Sequence, residues 1–169
     1  ASGRIAACVD VVEGAEGAAM VRCDRAEGAE VRLAVSHEQE QMWVLYELDR
    51  ASAAYNSPSI QSLRGVLDMQ ALCEATRAVA GKHEVLRMQY GSNAEGDLYQ
   101  SPVAVGEWDV DVREVSVTSM AEALAVVQDE VRSVIELERC SVRLAVMHVG
   151  EDEHIIVLNV HHIATDGWS

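Results

Sequence analysis

A chain of 169 residues with 49% hydrophobic and 24% charged side chains can enclose one real core, or form one lobe of something larger, and is too apolar for a disordered segment. Its 28 Asp and Glu against 13 Lys and Arg give a net charge of -15, a field that repels phosphate backbones and anionic lipids and so argues against nucleic-acid and membrane partners. No apolar run approaches the roughly 18 residues of a membrane span, and no basic-then-apolar signal opens the chain, so a cytoplasmic setting is expected.

Phe is absent, which leaves Val, Leu, Ile, Ala and Met to fill the interior. Cys8, Cys23, Cys73 and Cys140 lack CxxC spacing and read as reduced thiols. In chain order, Ile5 to Val12, Ala18 to Arg25 and Glu30 to Val35 are strand candidates separated by acidic Gly-Ala-Glu turns. They suggest a small meander, or a flexible leader over residues 1–32, ahead of a domain over residues 33–169. Ser36 and Gln39 have the spacing of a capping box, and the helix they open should bury Met42, Trp43, Leu45, Tyr46 and Leu48. A loop from Ala51 to Pro58 leads to a strand from Ser59 to Leu67. Asp68 can cap a second helix ending near Ala80 and Gly81, with Leu72 and Val79 inward. Strands are expected over Val85 to Tyr90 and Leu98 to Val103, and around Val110 and Val112. Ser119 and Glu122 repeat the capping-box spacing, with Met120, Leu124, Val127, Val131 and Val134 as the core stripe of a third helix. Ser141 to Val149 and His154 to Val160 complete the pattern, the latter apolar enough to be central in its sheet. The mixture predicts an α/β sandwich with helices packed on a mixed sheet.

The richest chemistry stands in the run Asn159-Val-His161-His162-Ile-Ala-Thr-Asp166-Gly167-Trp168-Ser169. A neutral imidazole can accept a proton near neutral pH. On extended backbone His161 and His162 point in opposite directions, so one can enter a cleft while the other packs inside. Asp166 can fix a ring or meet an Arg, and Gly167 admits conformations that a Cβ forbids. Two His and one carboxylate are also a common metal-ligand set, but neighbouring side chains on a strand diverge and no helical HExxH pattern occurs.

Four segments together resemble the N-terminal lobe of the condensation domains of nonribosomal peptide synthetases. Ser36-His-Glu38-Gln39-Glu-Gln41-Met42-Trp43-Val-Leu45 is similar to the opening motif of that family, and Ala53-Ala-Tyr55-Asn56 through Leu63-Arg-Gly65-Val-Leu67-Asp68 to the stretch after it. Lys82-His83-Glu84-Val-Leu86-Arg87-Met-Gln-Tyr90 resembles its Arg-His-Glu motif, and His161-His162-Ile-Ala-Thr-Asp166-Gly167-Trp168-Ser169 its HHxxxDG motif with the trailing Trp-Ser. Glu38, Gln41 and Lys82 depart from the usual Ala, Arg and Arg. Ser133-Val-Ile135-Glu-Leu137 stands where Pro-Phe-Asp-Leu is frequent.

The resemblance implies one lobe of the chloramphenicol acetyltransferase-like fold and an amide-forming reaction between two substrates tethered to carrier proteins. No cofactor would be bound directly, the substrates riding on the 4'-phosphopantetheine arms of upstream and downstream carriers. It implies His162 as the catalytic residue, either general base or orienter of the acceptor amine. His161 and Asp166 would support the loop, with Arg87 one candidate partner for Asp166. Gly167 and Trp168 would approach the substrate, while Trp43, His83 and Glu84 serve packing. A C-terminal lobe would be needed to close the active-site tunnel, so the chain alone is expected to be nearly inactive and prone to self-association. A stand-alone acyltransferase using acyl-coenzyme A and a noncatalytic scaffold lobe are the other two readings.

Overall fold

The computed structural model describes residues 31–166 and the backbone of two short strands before them. Those strands, β1 (Asp10–Val12) and β2 (Met20–Arg22), pair antiparallel as a two-stranded sheet. The rest of the first two expected strands lies outside the described residues. β3 (Leu33–Ala34) does not join them, pairing instead with β6 (Leu98–Pro102), which pairs with β5 (Met88–Ser92), all antiparallel.

The larger sheet has the order β4-β9-β8-β7, from β4 (Asn56–Arg64), β7 (Asp111–Val117), β8 (Val142–Val149) and β9 (Glu153–His161). β7 and β8 are parallel, so the chain must cross between them, and α3 (Met120–Arg132) makes that crossing. β9 lies inside the sheet, as its apolar run predicts. Alternation sends Ile155 and Val157 into a core with Ala123 and Val127 of α3, and Ile156 and Leu158 toward Leu144, Val146 and Ala80 of α2 (Met69–Lys82) on the other face. A third cluster joins Trp43 and Tyr46 of α1 (His37–Leu48), Met88 and Tyr90 of β5, Ile135, Leu137, and Ile163 and Ala164 just beyond β9. The α/β mixed-sheet architecture is the expected one.

Local signals hold where they depend on neighbouring backbone alone. The Ser36 hydroxyl accepts from the Gln39 N–H at 3.2 Å, and the Gln39 side chain accepts from the Ser36 N–H at 2.9 Å, completing the capping box. Asp68 caps α2 through the Ala71 N–H. At α3 only half the box forms. Ser119 accepts from the Glu122 N–H, but the Glu122 carboxylate turns to the N–H and hydroxyl of Thr118.

Several expected core positions are instead exposed. With 3.6 residues per turn, Trp43 and Tyr46 set the buried stripe of α1, and Leu45 and Leu48 point away from it, Leu48 being 77% exposed. Val79 of α2 and Met120 and Leu124 of α3 are also exposed. The inward stripe of α3 is Ala123, Val127 and Glu130, rotated from the expected one, with the small Ala123 wholly buried against the sheet. Glu130 is tolerated there because Arg113 and Arg143 of the neighbouring strands approach its carboxylate at 3.3 and 3.4 Å. β4 begins at Asn56, inside the expected loop, and α2 runs on through Gly81 to Lys82. The strand expected from Val85 opens as a single 3-10 turn, Glu84–Arg87, before β5.

Candidate active site

β9 delivers both histidines to the end of the sheet, and pleating separates them. His161 closes the β4–β9 ladder opposite Asn56 and is buried, its ring edge-on to Tyr46 at 6.4 Å and tilted against Tyr55 at 6.3 Å. Its Nδ1 accepts from the Ile163 N–H at 3.1 Å, so that nitrogen carries no proton. Burial, reinforced by the charge of His162, lowers its pKa from 6.5 to about 4.

That shift has a sign that can be tested. The unfolded chain binds a proton on His161 more readily than the folded one, so its contribution to stability is complete above pH 6.5 and is lost as the pH falls toward 4. The loss is at most about 1.4 kcal/mol for each pH unit. Melting curves from pH 7 to 4 should therefore be flatter for His161→Asn than for wild type. Parallel curves would contradict the assignment.

His162 faces outward. Its backbone N–H donates to the Tyr55 carbonyl at 2.8 Å, and a tight turn closes behind it through Ala164 N–H to His161 C=O at 2.9 Å. Its Nδ1 lies 2.6 Å from the Thr165 carbonyl, which can only accept, so Nδ1 carries the hydrogen. Among the described residues nothing bonds Nε2, whose lone pair can take a proton or a hydrogen bond. Beside it is an open depression of about 670 Å³, lined by Ser36, Glu38, Gln39, Met42 and Val85 on one side and His162 to Asp166 on the other. Ile163 and Ala164, buried against Trp43 and Leu137, anchor the loop that presents the imidazole. The arrangement suits a rigid proton acceptor at the rim of an accessible cavity.

The expected residues are only partly brought together. Asp166 is exposed and lines the depression beside His162. Arg87 is not its described partner. That buried guanidinium donates through Nε to the Ala80 carbonyl at 2.8 Å and through another nitrogen to the Val103 carbonyl, and it approaches Glu84 at 3.8 Å. It thus ties α2 to the strands behind it, because two carbonyl oxygens accept its hydrogens there and the Glu84 carboxylate lies close by. Trp43 is buried in the core, which fits packing, whereas Glu84 is half-buried and His83 is exposed at the end of α2. Gly167 and Trp168 lie outside the described residues. Among the described residues no group of three or more His, Cys, Asp or Glu is arranged to hold a metal ion.

Sequence reasoning gave Tyr46, Tyr55, Asn56 and Asn159 no role in the site, although Asn159 opens the His-His run and Tyr55 and Asn56 stand in the second matching segment. The Tyr46 phenol, pushed up to about 12 by burial and by Glu138, donates to the Glu138 carboxylate at 2.7 Å and backs the His161 ring. Asn56 and Asn159 donate to carbonyls at the C-terminal end of α3. Asparagine is disfavoured within strands, and an Asn interrupting the apolar run of β9 was the available signal.

A family model described as Condensation domain matches residues 29–169. The chain belongs to the condensation-domain family. It is 38% identical over 138 residues to the probable non-canonical nonribosomal peptide synthetase CymA of Salinispora arenicola, covering 81% of this chain and 2% of that protein. It is 33% identical over 141 residues to the chondramide synthase of Chondromyces crocatus, with 81% of this chain and 4% of the relative aligned. The first condensation domain of the calcium-dependent antibiotic synthetase, solved with a substrate analogue, superimposes with a TM-score of 0.67 at 26% identity over 81% of this chain and 34% of that one. The starter condensation domain of rhizomide synthetase gives 0.69 over 82% and 34%, and at 23% identity it shares the fold. This condensation-domain chain therefore spans a few per cent of its curated relatives and about a third of the solved domains it matches.

Proposed function

We propose that this chain is part of a condensation domain that forms an amide bond between a carrier-tethered acyl or peptidyl thioester and a carrier-tethered aminoacyl amine. The observation that carries the reading is the outward His162, its Nδ1–H fixed on the Thr165 carbonyl and its Nε2, at the cavity rim, unbonded among the described residues. In this reading Nε2 takes a proton from the attacking amine, or holds the amine in line, as the nitrogen adds to the thioester carbonyl. The tetrahedral adduct then collapses, the carbon–sulfur bond breaks, and the pantetheine thiol leaves with the proton. His161 and Asp166 support the loop, and Gly167 and Trp168 border the substrate. Carrier proteins dock from both sides, and the only prosthetic chemistry is the phosphopantetheine arm they bring.

Positioning two tethered substrates requires walls on both sides of the cavity. The depression beside His162 is open, and Leu45 and Leu48 of α1 and Ile60 and Leu63 of β4 are exposed, which supports a chain completed by a second lobe. The isolated chain is accordingly expected to be nearly inactive and to self-associate through such surfaces. The test offers donor and acceptor carriers, each loaded, to the intact synthetase and to the isolated chain, with the product followed by intact-protein mass. Product from the synthetase alone is the expected result. Turnover of a free acyl-coenzyme A at an equal rate would favour the stand-alone acyltransferase. Undiminished turnover by the isolated chain would sink the requirement for a second lobe.

A further inference from the structure

We propose that Asn56 is a positioning residue for His162, an inference that rests on the catalytic reading of His162 above. α3 ends at Arg132, and the last carbonyls of a helix have no partners within it. Asn56 supplies them from a different element: its Nδ2 donates to the Val131 carbonyl at 2.9 Å and the Ser133 carbonyl at 2.8 Å. Both hydrogens of the amide are used, and they meet the helix end that carries partial negative charge.

The consequence reaches His162 through one peptide plane. The Tyr55 carbonyl and the Asn56 N–H belong to the same rigid unit. On one side that unit is closed by the Asn56 N–H donating to the Ala53 carbonyl at 3.1 Å. On the other the Tyr55 carbonyl accepts the His162 N–H at 2.8 Å. Asn56 is also the last partner of β9, standing opposite His161 in the β4–β9 register. Loosening its side chain from α3 frees the peptide that holds the His162 backbone at the rim of the cavity. Asn56 is not among the residues that line the depression, so its action on the reaction is indirect.

The test uses the intact synthetase with both carriers loaded and compares Asn56→Ala with Ser119→Ala. Ser119 caps the opposite end of α3, and its removal weakens the same helix without touching the Tyr55 carbonyl. Both variants should melt lower than wild type by similar amounts. Only Asn56→Ala should slow single-turnover amide formation, by about ten- to a hundredfold, with the KM for the acceptor carrier unchanged. If Asn56→Ala does not fold, Asn56→Ser, whose hydroxyl can serve one carbonyl, should slow the step in the same sense. Equal rate losses in the Asn56 and Ser119 variants, or an unchanged rate in the Asn56 variant that folds, overturn the inference. His162→Ala in the same assay separates the failures: an undiminished rate there removes the catalytic reading and this inference together, whereas its loss beside a normal Asn56 variant removes this inference alone.

Discussion

Replacing His162 with alanine in the intact synthetase should lower single-turnover amide formation by about 100- to 10,000-fold, the range a positioned proton acceptor supplies. The melting temperature should stay near that of wild type, because the side chain is exposed and its one described hydrogen bond goes to the Thr165 carbonyl three residues away. A large rate loss with unchanged stability is the signature of chemistry rather than packing. His162→Asn divides the two roles further. Its amide can still donate a hydrogen bond, but it cannot accept a proton at neutral pH. Recovery of much of the rate in that variant would assign His162 to orientation, and no recovery would assign it to proton transfer. Full activity in His162→Ala would end the catalytic reading and leave the scaffold reading in its place.

Leu137→Ala should cost about 2–5 kcal/mol, the cost of a large-to-small change in a packed core. Leu137 has no exposed surface and packs in the cluster that contains Trp43, Tyr90, Ile163 and Ala164. Its carbonyl accepts the Tyr90 N–H at 3.0 Å, so it also stitches the segment before β8 to the small sheet. A cavity there removes contacts from the same residues that anchor the histidine loop. Denaturant midpoints with an unchanged m-value would measure the loss. A change below about 1 kcal/mol would mean that the site collapses around the smaller side chain, and the loop anchor would then lie elsewhere.

The legible parts of the fold are those in which neighbouring residues satisfy one another. Ser36 with Gln39 and Asp68 with the Ala71 N–H needed nothing from the rest of the chain, and both form. The central position of β9 was readable because an apolar run must be covered on both faces. Leu45, Leu48, Val79, Met120 and Leu124 were less readable. Periodicity gives a helix an apolar side, but which arc meets the sheet depends on side-chain volumes across the contact, as Ala123 shows. Arg87 illustrates the same limit for charge. Its sequence allows a bond to Asp166, while its position beside the Ala80 and Val103 carbonyls gives its donors nearer acceptors.

By itself the sequence determined the family, through four motifs in order, and it determined that one histidine of the pair would face outward, because adjacent side chains on a strand must diverge. The resemblance implied that this one is His162, and the tertiary structure supplies the physical reason. His161 turns inward because Tyr46 and Tyr55 enclose it and a neutral ring accepting the Ile163 N–H can be buried. His162 then stands at the cavity, its backbone fixed by the Tyr55 carbonyl and its Nδ1–H by that of Thr165. The first of these carbonyls lies at the entry to β4, far earlier in the chain, and no local pattern specifies a hydrogen bond that folding forms across so long a stretch.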